Sequence, residues 1–153
     1  MFEKLIATNK DIIPLILRLT LGAVMFPHGA QKVLGWFGGG GFKATLQGMT
    51  ETGLPAAIVI VVMIAEFLGS LGLIFGLLTR LGALGIISVM LGAIFLVHRP
   101  YGFFMNWMGG QAGEGFEYHL LAIGIAVALL IRGGGAFSID RTLHGPPRHF
   151  RPM

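Results

Sequence analysis

The chain has 153 residues, of which 54% are hydrophobic and only 12% are charged, and its mean hydropathy is +0.79. A soluble domain carries about a quarter charged residues, because its surface must meet water everywhere. This composition excludes an ordinary soluble domain and predicts one domain embedded in a membrane. The sequence contains no cysteine, which excludes disulfides, thiol redox chemistry, iron–sulfur clusters and thiolate metal sites.

Basic residues outnumber acidic ones, and the formal net charge is +4. The basic residues lie at the ends of apolar segments and near the C-terminus rather than along one stripe. This distribution is typical of membrane orientation and argues against a nucleic-acid partner. The predicted surroundings of the chain are therefore the lipid bilayer.

The first half of the chain predicts two membrane-spanning helices. The first span covers about residues 12–31 and contains one charged side chain, Arg18. The second span covers about 55–78 and also contains one charge, Glu66. About 20 apolar residues are enough to cross roughly 30 Å of hydrocarbon at about 1.5 Å per residue. Between these spans, residues 35–52 include four consecutive glycines and predict a loop that is not helical throughout.

The second half predicts two more spans of the same kind. A very short turn precedes the third span, about 81–97, which must therefore run antiparallel to the second. The fourth span covers about 116–131 and stops just before a glycine run. Together the spans predict an all-α fold, an integral membrane four-helix bundle in one domain of residues 1–140. A basic tail, residues 141–153, follows this domain.

The distribution of lysine and arginine predicts how the bundle is oriented. Seven of these residues lie on the side of the two termini and the short turn: Lys4, Lys10, Arg80, Arg132, Arg141, Arg148 and Arg151. The opposite side carries three: Lys32, Lys43 and Arg99. Cytoplasmic loops of membrane proteins carry the excess of positive charge. Both termini and the basic tail are therefore predicted to be cytoplasmic, and the two glycine-rich loops face outward.

Arg18 and Glu66 are charged groups inside predicted spans, and inserting such a group costs about 2.5–3.5 kcal/mol. Counting helical turns from opposite sides of the bilayer places the two side chains at nearly the same depth. One interpretation is a structural Arg18–Glu66 ion pair that fixes the helix register. The other is that these groups belong to a proton or ligand site.

Antiparallel helices bring a second group of polar side chains to the outer end of the bundle: His28, Gln31, Lys32, His98, Arg99, Glu117, Tyr118 and His119. Three interpretations of this cluster stay open. Imidazole and carboxylate are ligands for zinc, copper or non-haem iron, but no two of them have a metal-binding helical spacing, so no metal site is predicted. Cationic and aromatic groups could instead bind the oxygens and ring of a quinone. The third interpretation is an interfacial polar layer that reaches headgroups and water.

Several segments of the chain resemble, in order, the signatures of the DoxX family. They are PHGAQK at 27–32, GWFGG at 35–39, EFLG at 66–69, HRPYGFF at 98–104, GFEY at 115–118 and GAFSID at 135–140. The resemblance covers nearly the whole chain, from about residue 15 to residue 140. It implies a four-helix, multi-pass protein of the bacterial or archaeal plasma (inner) membrane.

The DoxX family takes its name from a membrane subunit of a thiosulfate:quinone oxidoreductase, and other members are linked to oxidative-stress systems. The resemblance implies a set of ligand-binding candidates: His28, Gln31, Lys32, Glu66, His98, Glu117 and Tyr118. The outer cluster adds His119 to this set. The catalytic residues, if the chain is an enzyme, are not identified by these patterns.

These observations predict a subunit of a membrane redox system that holds a quinone or a similar small molecule near the outer helix ends. His28 and His98 would hydrogen-bond the oxygens of the ligand, and Glu66 would exchange protons with it. A redox partner protein and a homo-oligomer are further expectations. Two alternatives stay open: a non-catalytic membrane anchor or partner-recruiting module, and a small-molecule transporter, which would need a larger assembly to form a pore.

Overall fold

The computed structural model describes residues 2–144, which form helices and connecting turns. The helices are α1 (Phe2–Ile6), α2 (Ile13–Val33), α3 (Gly41–Glu51), α4 (Ala56–Phe75), α5 (Thr79–Ala93), α6 (Glu117–Arg132) and α7 (Ile139–His144). α5 continues through a π-helical turn, Ile94–His98, and a 3-10 turn, Arg99–Tyr101. Most of the predicted basic tail, residues 145–153, lies outside the described residues.

Four long helices form a closed bundle in which α2 packs on α4, α4 on α5, α5 on α6 and α6 on α2. Three of them are long and apolar enough to cross a membrane: α2, α4, and α5 with its continuation to Tyr101, with 21, 20 and 23 residues. α6 has 16 residues. That is about 24 Å of helix. The predicted all-α membrane bundle is confirmed, whereas the fourth complete span and the orientation of the termini stay predictions.

The core of the bundle joins all four long helices. α2 contributes Leu21 and Met25, and α4 contributes Leu73. The remaining buried members come from α5 and α6: Ala83, Ile86, Val89, Met90, Ala122, Ala126 and Leu129. The set combines the small side chains of three alanines with larger aliphatic ones, which lets the helices pack closely around one apolar centre.

Two glycines of α2 set its register against α4. A Cβ atom on Gly29 would lie 2.6 Å from the backbone of Phe67, and one on Gly22 would lie 2.8 Å from the side chain of Ile74. Only glycine allows two helix backbones to approach this closely. The two helices therefore run antiparallel, with the last turns of α2 beside the middle of α4.

α4 and α5 form a tight antiparallel hairpin. Gly76 and Leu78 both adopt left-handed backbone conformations, with φ of 65° and 49°, so the chain reverses within three residues and α5 begins at Thr79. The carboxylate of Asp140 accepts hydrogen bonds from the backbone N–H groups of Leu78 (2.6 Å) and Thr79 (2.9 Å). A carboxylate in this position caps the first turn of α5.

One end of the bundle is here called the arginine end. It is formed by this hairpin, by the segment after α6 and by the first residues of α2. Arg18 is only 2% exposed there. Its guanidinium donates hydrogen bonds to five backbone carbonyl oxygens, those of Leu73, Ile74, Gly134, Ala136 and Phe137. Arg80 donates in the same way to the carbonyl oxygens of Leu5, Ala7, Leu130 and Ile131.

The predicted Arg18–Glu66 ion pair does not form. Among the described residues, Arg18 contacts carbonyl oxygens, and the carboxylate of Glu66 lies beside Lys32. The depth count was wrong because it ignored where the glycines bring α2 and α4 together. That register places Gly29, not Arg18, at the level of Glu66.

Candidate functional site

A cavity of about 810 Å³, here called the polar cavity, lies at the end of the bundle opposite Arg18. Its polar lining comes from all four long helices: His28 and Lys32 from α2, Glu66 from α4, His98 from the π-helical turn after α5, and Tyr118 and His119 from α6. Six of the eight predicted ligand-binding residues therefore meet at one cavity. The rest of the wall is mainly apolar and comes from α4 and α5.

An ion pair forms one wall of the polar cavity. Lys32 Nζ lies 2.6 Å from Glu66 Oε2, and the side chains are 26% and 5% exposed. The pair follows from the register of α2: Gly29 brings the two backbones together, and Lys32, one turn further along, reaches the carboxylate. The carboxylate is therefore paired with a cation, and a carboxylate oxygen has a second lone pair that can still accept a hydrogen bond.

Two imidazole rings in contact form another part of the wall. The ring centroids of His98 and His119 are 4.1 Å apart, with the planes tilted by 44°. His98 Nδ1 lies 2.8 Å from the carbonyl oxygen of Glu114. Because a carbonyl can only accept, the proton of the neutral ring is on Nδ1, and Nε2 is left as an acceptor.

His119 is 5% exposed, and its Nδ1 has no hydrogen-bond partner among the described residues. Buried polar atoms in folded proteins nearly always have a partner, so an exception needs an explanation. Tyr118 lies beside both histidines, with ring centroids 5.5 Å from His119 and 6.5 Å from His28. Its hydroxyl is 3.5 Å from Met25 Sδ, a weak acceptor that leaves this donor available.

The π-helical turn Ile94–His98 determines where His98 lies. Such a turn inserts an extra residue into an α-helix and is frequent at functional sites. It carries the end of α5 over the start of α6, and this brings His98 next to His119. No feature of the sequence predicted this turn.

Two predicted site residues do not line the polar cavity. Gln31 Nε2 donates to the carbonyl oxygen of Phe37 at 3.1 Å and so stabilises the turn after α2. Glu117 Oε1 accepts from the backbone N–H of Met105 (2.9 Å) and from Trp107 Nε1 (3.3 Å). Both side chains hold the outer connections in place, and neither is among the cavity-lining residues.

One charged lining residue was missed by the sequence analysis. Glu114 lines the polar cavity, and its backbone carbonyl orients His98. Its carboxylate accepts from the backbone N–H of Asn106 at 2.6 Å. Glu114 lies in an irregular connection, where no helical period predicts the direction of a side chain, so no sequence signal could have found it.

The polar groups of the cavity are few and of mixed chemical kinds. In the part of the chain that the structure describes, no three His, Cys, Asp or Glu side chains are arranged to hold a metal ion. Lys32, Tyr118 and His98 supply the cavity with donors and an acceptor, and the rest of its walls are mainly apolar. A few convergent polar groups in a mostly apolar cavity of this size are typical of a small-molecule site.

The fold and the cavity define a helical, multi-pass inner-membrane protein with a ligand-sized polar cavity. Residues 13–99 match the DoxX family, and the chain belongs to that family. It is 32% identical over 135 residues to "Inner membrane protein YqjF" of Escherichia coli (strain K12), covering 88% of this chain and 95% of that protein. It is 31% identical over 119 residues to "Putative oxidoreductase CatD" of Bacillus subtilis (strain 168), covering 78% and 79%. No solved structure matches the chain.

Proposed function

We propose that the protein is a subunit of a membrane redox system and that its polar cavity binds a quinone or a similar small molecule. The observation that carries this proposal is the buried His119 Nδ1 in the cavity wall, which has no hydrogen-bond partner among the described residues. The name of the relative from Bacillus subtilis, which calls that protein a putative oxidoreductase, supports a redox role.

The polar groups of the cavity suit both forms of a quinone. The oxidised form carries two carbonyl oxygens, which can accept hydrogen bonds from the ammonium of Lys32 and the hydroxyl of Tyr118. The reduced form carries hydroxyl groups, which can donate to His98 Nε2. The same lining therefore has a partner for each form, and the apolar walls fit the ring.

Reduction of a quinone takes up two electrons and two protons. The protons can be held at Glu66 and at the histidines, since both groups line the cavity. The chain has no cysteine thiol that could supply the electrons, and the proposal takes a redox partner protein as their source. The proposal thus assigns ligand binding and proton exchange to this chain, and electron delivery to the partner.

A reduced-minus-oxidised optical difference spectrum of the protein, purified in mild detergent and supplied with quinone, tests the proposal. We expect a quinone band that is strong in the wild type and weakened in His28→Ala and His119→Phe. Gln31→Ala is the matched control, because Gln31 belongs to the same predicted set but lies outside the cavity, and it should keep the full band. A band of equal strength in all variants, or no band at all, would rule out the assigned site.

The alternative of a partner-recruiting membrane module has one observation in its favour. Phe104, Trp107 and Met108 in the connection before α6 are 67%, 82% and 98% exposed. Such a patch marks a protein or membrane contact. Replacing all three by serine separates the two functions: loss of complex formation with an unchanged quinone band would establish recruitment as a second role of the chain.

A further inference from the structure

The segment between the end of the third long helix and the start of α6, residues 102–116, is here called the α5–α6 connection. It displays three large apolar side chains, since Phe104, Trp107 and Met108 are 67%, 82% and 98% exposed. From residue 95 to residue 113, the only Asp, Glu, Lys or Arg in the sequence is Arg99. A surface that faces water is normally rich in charged residues, so this segment is expected to contact something other than water.

The length of α6 shows how deep the α5–α6 connection lies. α6 has 16 residues and is about 24 Å long, whereas the hydrocarbon core of a bilayer is roughly 30 Å thick. Its last residue, Arg132, has a side chain that is 57% exposed and pairs with Asp11 at 2.9 Å, so this end of the helix lies at a polar boundary. The first turn of α6 then lies about 6 Å inside the opposite boundary. The connection before it must cover the remaining depth.

The backbone of the α5–α6 connection is suited to that depth. Non-helical backbone near hydrocarbon is tolerated only where its polar groups have partners within the protein. Three hydrogen bonds join the two ends of the connection side by side, from the N–H groups of Gly115, Phe116 and Glu117 to the carbonyl oxygens of Phe104, Gly102 and Phe103. The ends of the connection therefore do not depend on water for these hydrogen bonds.

Two carboxylates provide further partners to the same backbone. Glu117 Oε1 accepts from the N–H of Met105 (2.9 Å) and from Trp107 Nε1 (3.3 Å), and the carboxylate of Glu114 accepts from the N–H of Asn106 (2.6 Å). The indole N–H is the one polar group of the Trp107 side chain, and this contact turns it toward the protein. The part of the ring that stays exposed is apolar, as a lipid contact requires.

The apolar surface of the α5–α6 connection continues a surface that already faces lipid. In the π-helical turn, Phe95, Leu96 and Val97 are 65%, 65% and 54% exposed, and this turn belongs to a helix long and apolar enough to cross a membrane. Arg99 follows the turn, and a long basic side chain at this level can reach lipid phosphates. A protein partner would be expected to meet a polar rim around the apolar centre. The continuity of the surface and its lack of other charges favour lipid.

We propose that the α5–α6 connection is embedded at the boundary between headgroups and hydrocarbon, with Phe104, Trp107 and Met108 inserted between lipid molecules. In this arrangement the connection completes the fourth crossing that α6 is too short to make alone. The connection also supplies Met105 and Glu114 to the wall of the polar cavity, and the carbonyl of Glu114 lies against His98 Nδ1. Lipid contact therefore holds one wall of the cavity in place, whichever ligand the cavity binds.

Fluorescence quenching of Trp107 in phosphatidylcholine nanodiscs tests this inference. The chain has two tryptophans, so Trp36→Phe leaves Trp107 as the single emitter. Lipids brominated near the headgroup should quench its emission more strongly than lipids brominated near the chain end. Acrylamide in the water should quench it several-fold less than it quenches N-acetyltryptophanamide. If Trp36→Phe does not fold, the difference between the wild type and Trp107→Phe gives the same measurement.

A reference tryptophan calibrates the depth. Leu121 is 70% exposed on α6, one turn beyond its start, and Leu121→Trp is made in a chain that has phenylalanine at both native tryptophan positions. Its emission should be quenched by the deep bromines more strongly than that of Trp107. Equal depth profiles for the two positions would place Trp107 in the hydrocarbon rather than at the boundary and would contradict the proposal.

A matched pair of variants tests whether the apolar side chains hold the α5–α6 connection in the lipid. With Trp107 as the single tryptophan, Phe104→Ser combined with Met108→Ser should reduce quenching by the shallow bromines and increase quenching by acrylamide. Phe137→Ser removes an 83% exposed phenylalanine at the arginine end and should change neither. The same response from both variants would mean that insertion does not depend on these side chains.

The remaining outcomes overturn the inference and separate it from the proposed function. Strong quenching by acrylamide and none by brominated lipid would place the connection in water, where its apolar patch is open to a protein partner. Protection from both quenchers would mean that a second copy of the chain covers the patch. No quinone enters these measurements, so their result does not depend on whether the polar cavity binds one.

Discussion

The arginine end and the polar cavity both bury charged side chains, but they do so in opposite ways. At the arginine end, Arg18 reaches five backbone carbonyl oxygens and Arg80 reaches four, while Asp140 accepts from two N–H groups. In the polar cavity, Lys32 and Glu66 form an ion pair of 2.6 Å, and the buried His119 Nδ1 has no hydrogen-bond partner among the described residues. The chain surrounds its buried charges with backbone groups at one end, whereas at the other end it pairs two charged side chains and leaves an imidazole nitrogen open.

This difference distinguishes the buried polar groups that stabilise the fold from those that are available to a ligand. A guanidinium surrounded by carbonyl oxygens has no capacity left, so its contribution is to stability. An open polar atom destabilises the empty protein and is retained where a ligand can satisfy it. Thr79 Oγ1 is an exception at the arginine end, since it is buried there without a partner in the described part of the chain.

Arg18→Leu should produce the largest loss of stability. The substitution leaves five carbonyl oxygens without a donor, and we expect the free energy of unfolding in bicelles to fall by about 3 kcal/mol or more. Arg18→Lys keeps the charge but loses the planar fork of donors, so its loss should be intermediate. If Arg18→Leu were as stable as the wild type, the carbonyl contacts would not hold the arginine end together.

Lys32→Met should have the next largest effect on stability, and it should exceed that of Glu66→Gln. Removing Lys32 leaves a carboxylate that is 5% exposed without its cation, whereas removing the charge of Glu66 leaves an ammonium that is 26% exposed and can reach water. We expect losses of about 2–3 and about 1 kcal/mol respectively. A double-mutant cycle checks the coupling, and equal losses from the two single variants would contradict the assigned burial.

His119→Phe should lower quinone affinity while leaving stability unchanged or slightly higher. Replacing an unsatisfied buried polar group by an apolar group of similar shape is close to neutral, so we expect a change within about 1 kcal/mol. Unfolding in bicelles measures the stability, and quinone titration measures the affinity. Strong destabilisation would mean that His119 has a structural partner and that the contrast between the two ends is wrong.

Gln31→Ala should have the smallest effect. Its side chain makes one hydrogen bond to the carbonyl oxygen of Phe37 on the surface. The expected loss of stability is about 0.5–1 kcal/mol, with no change in quinone affinity. A clear fall in affinity would extend the ligand site beyond the polar cavity toward the turn after α2.

Much of the fold was predictable because composition and helical length are local properties. Apolar runs bounded by glycine, proline and arginine placed α2, α4, α5 and α6 to within a few residues. α3 was not predicted, since the four glycines at 38–41 obscured the helix-forming residues that follow them. The turn between the second and third spans was also misplaced. It was predicted at residues 79–80 and lies at 76–78, because α5 begins at Thr79 and depends on a distant cap, Asp140.

The candidate site was predictable only in part, because convergence of side chains is a property of the tertiary structure. His28 and Lys32 reach the cavity through the register that Gly29 imposes on α2, and His98 reaches it through an unpredicted π-helical turn. Gln31 shares the same helix end but points to the next turn. The Arg18–Glu66 pairing failed for the same reason: depth in a bilayer does not fix helix register.

The most direct test of the central claim is to measure the quinone that stays with the protein after extraction into nanodiscs from its native membrane. The quinone retained by the wild type and by His119→Phe is quantified by mass spectrometry against empty nanodiscs. The predicted result is a stoichiometric amount of quinone in the wild type and a smaller amount in the folded variant. Equal amounts in the two proteins, or no more than in empty nanodiscs, would contradict the assignment of the polar cavity as a quinone site.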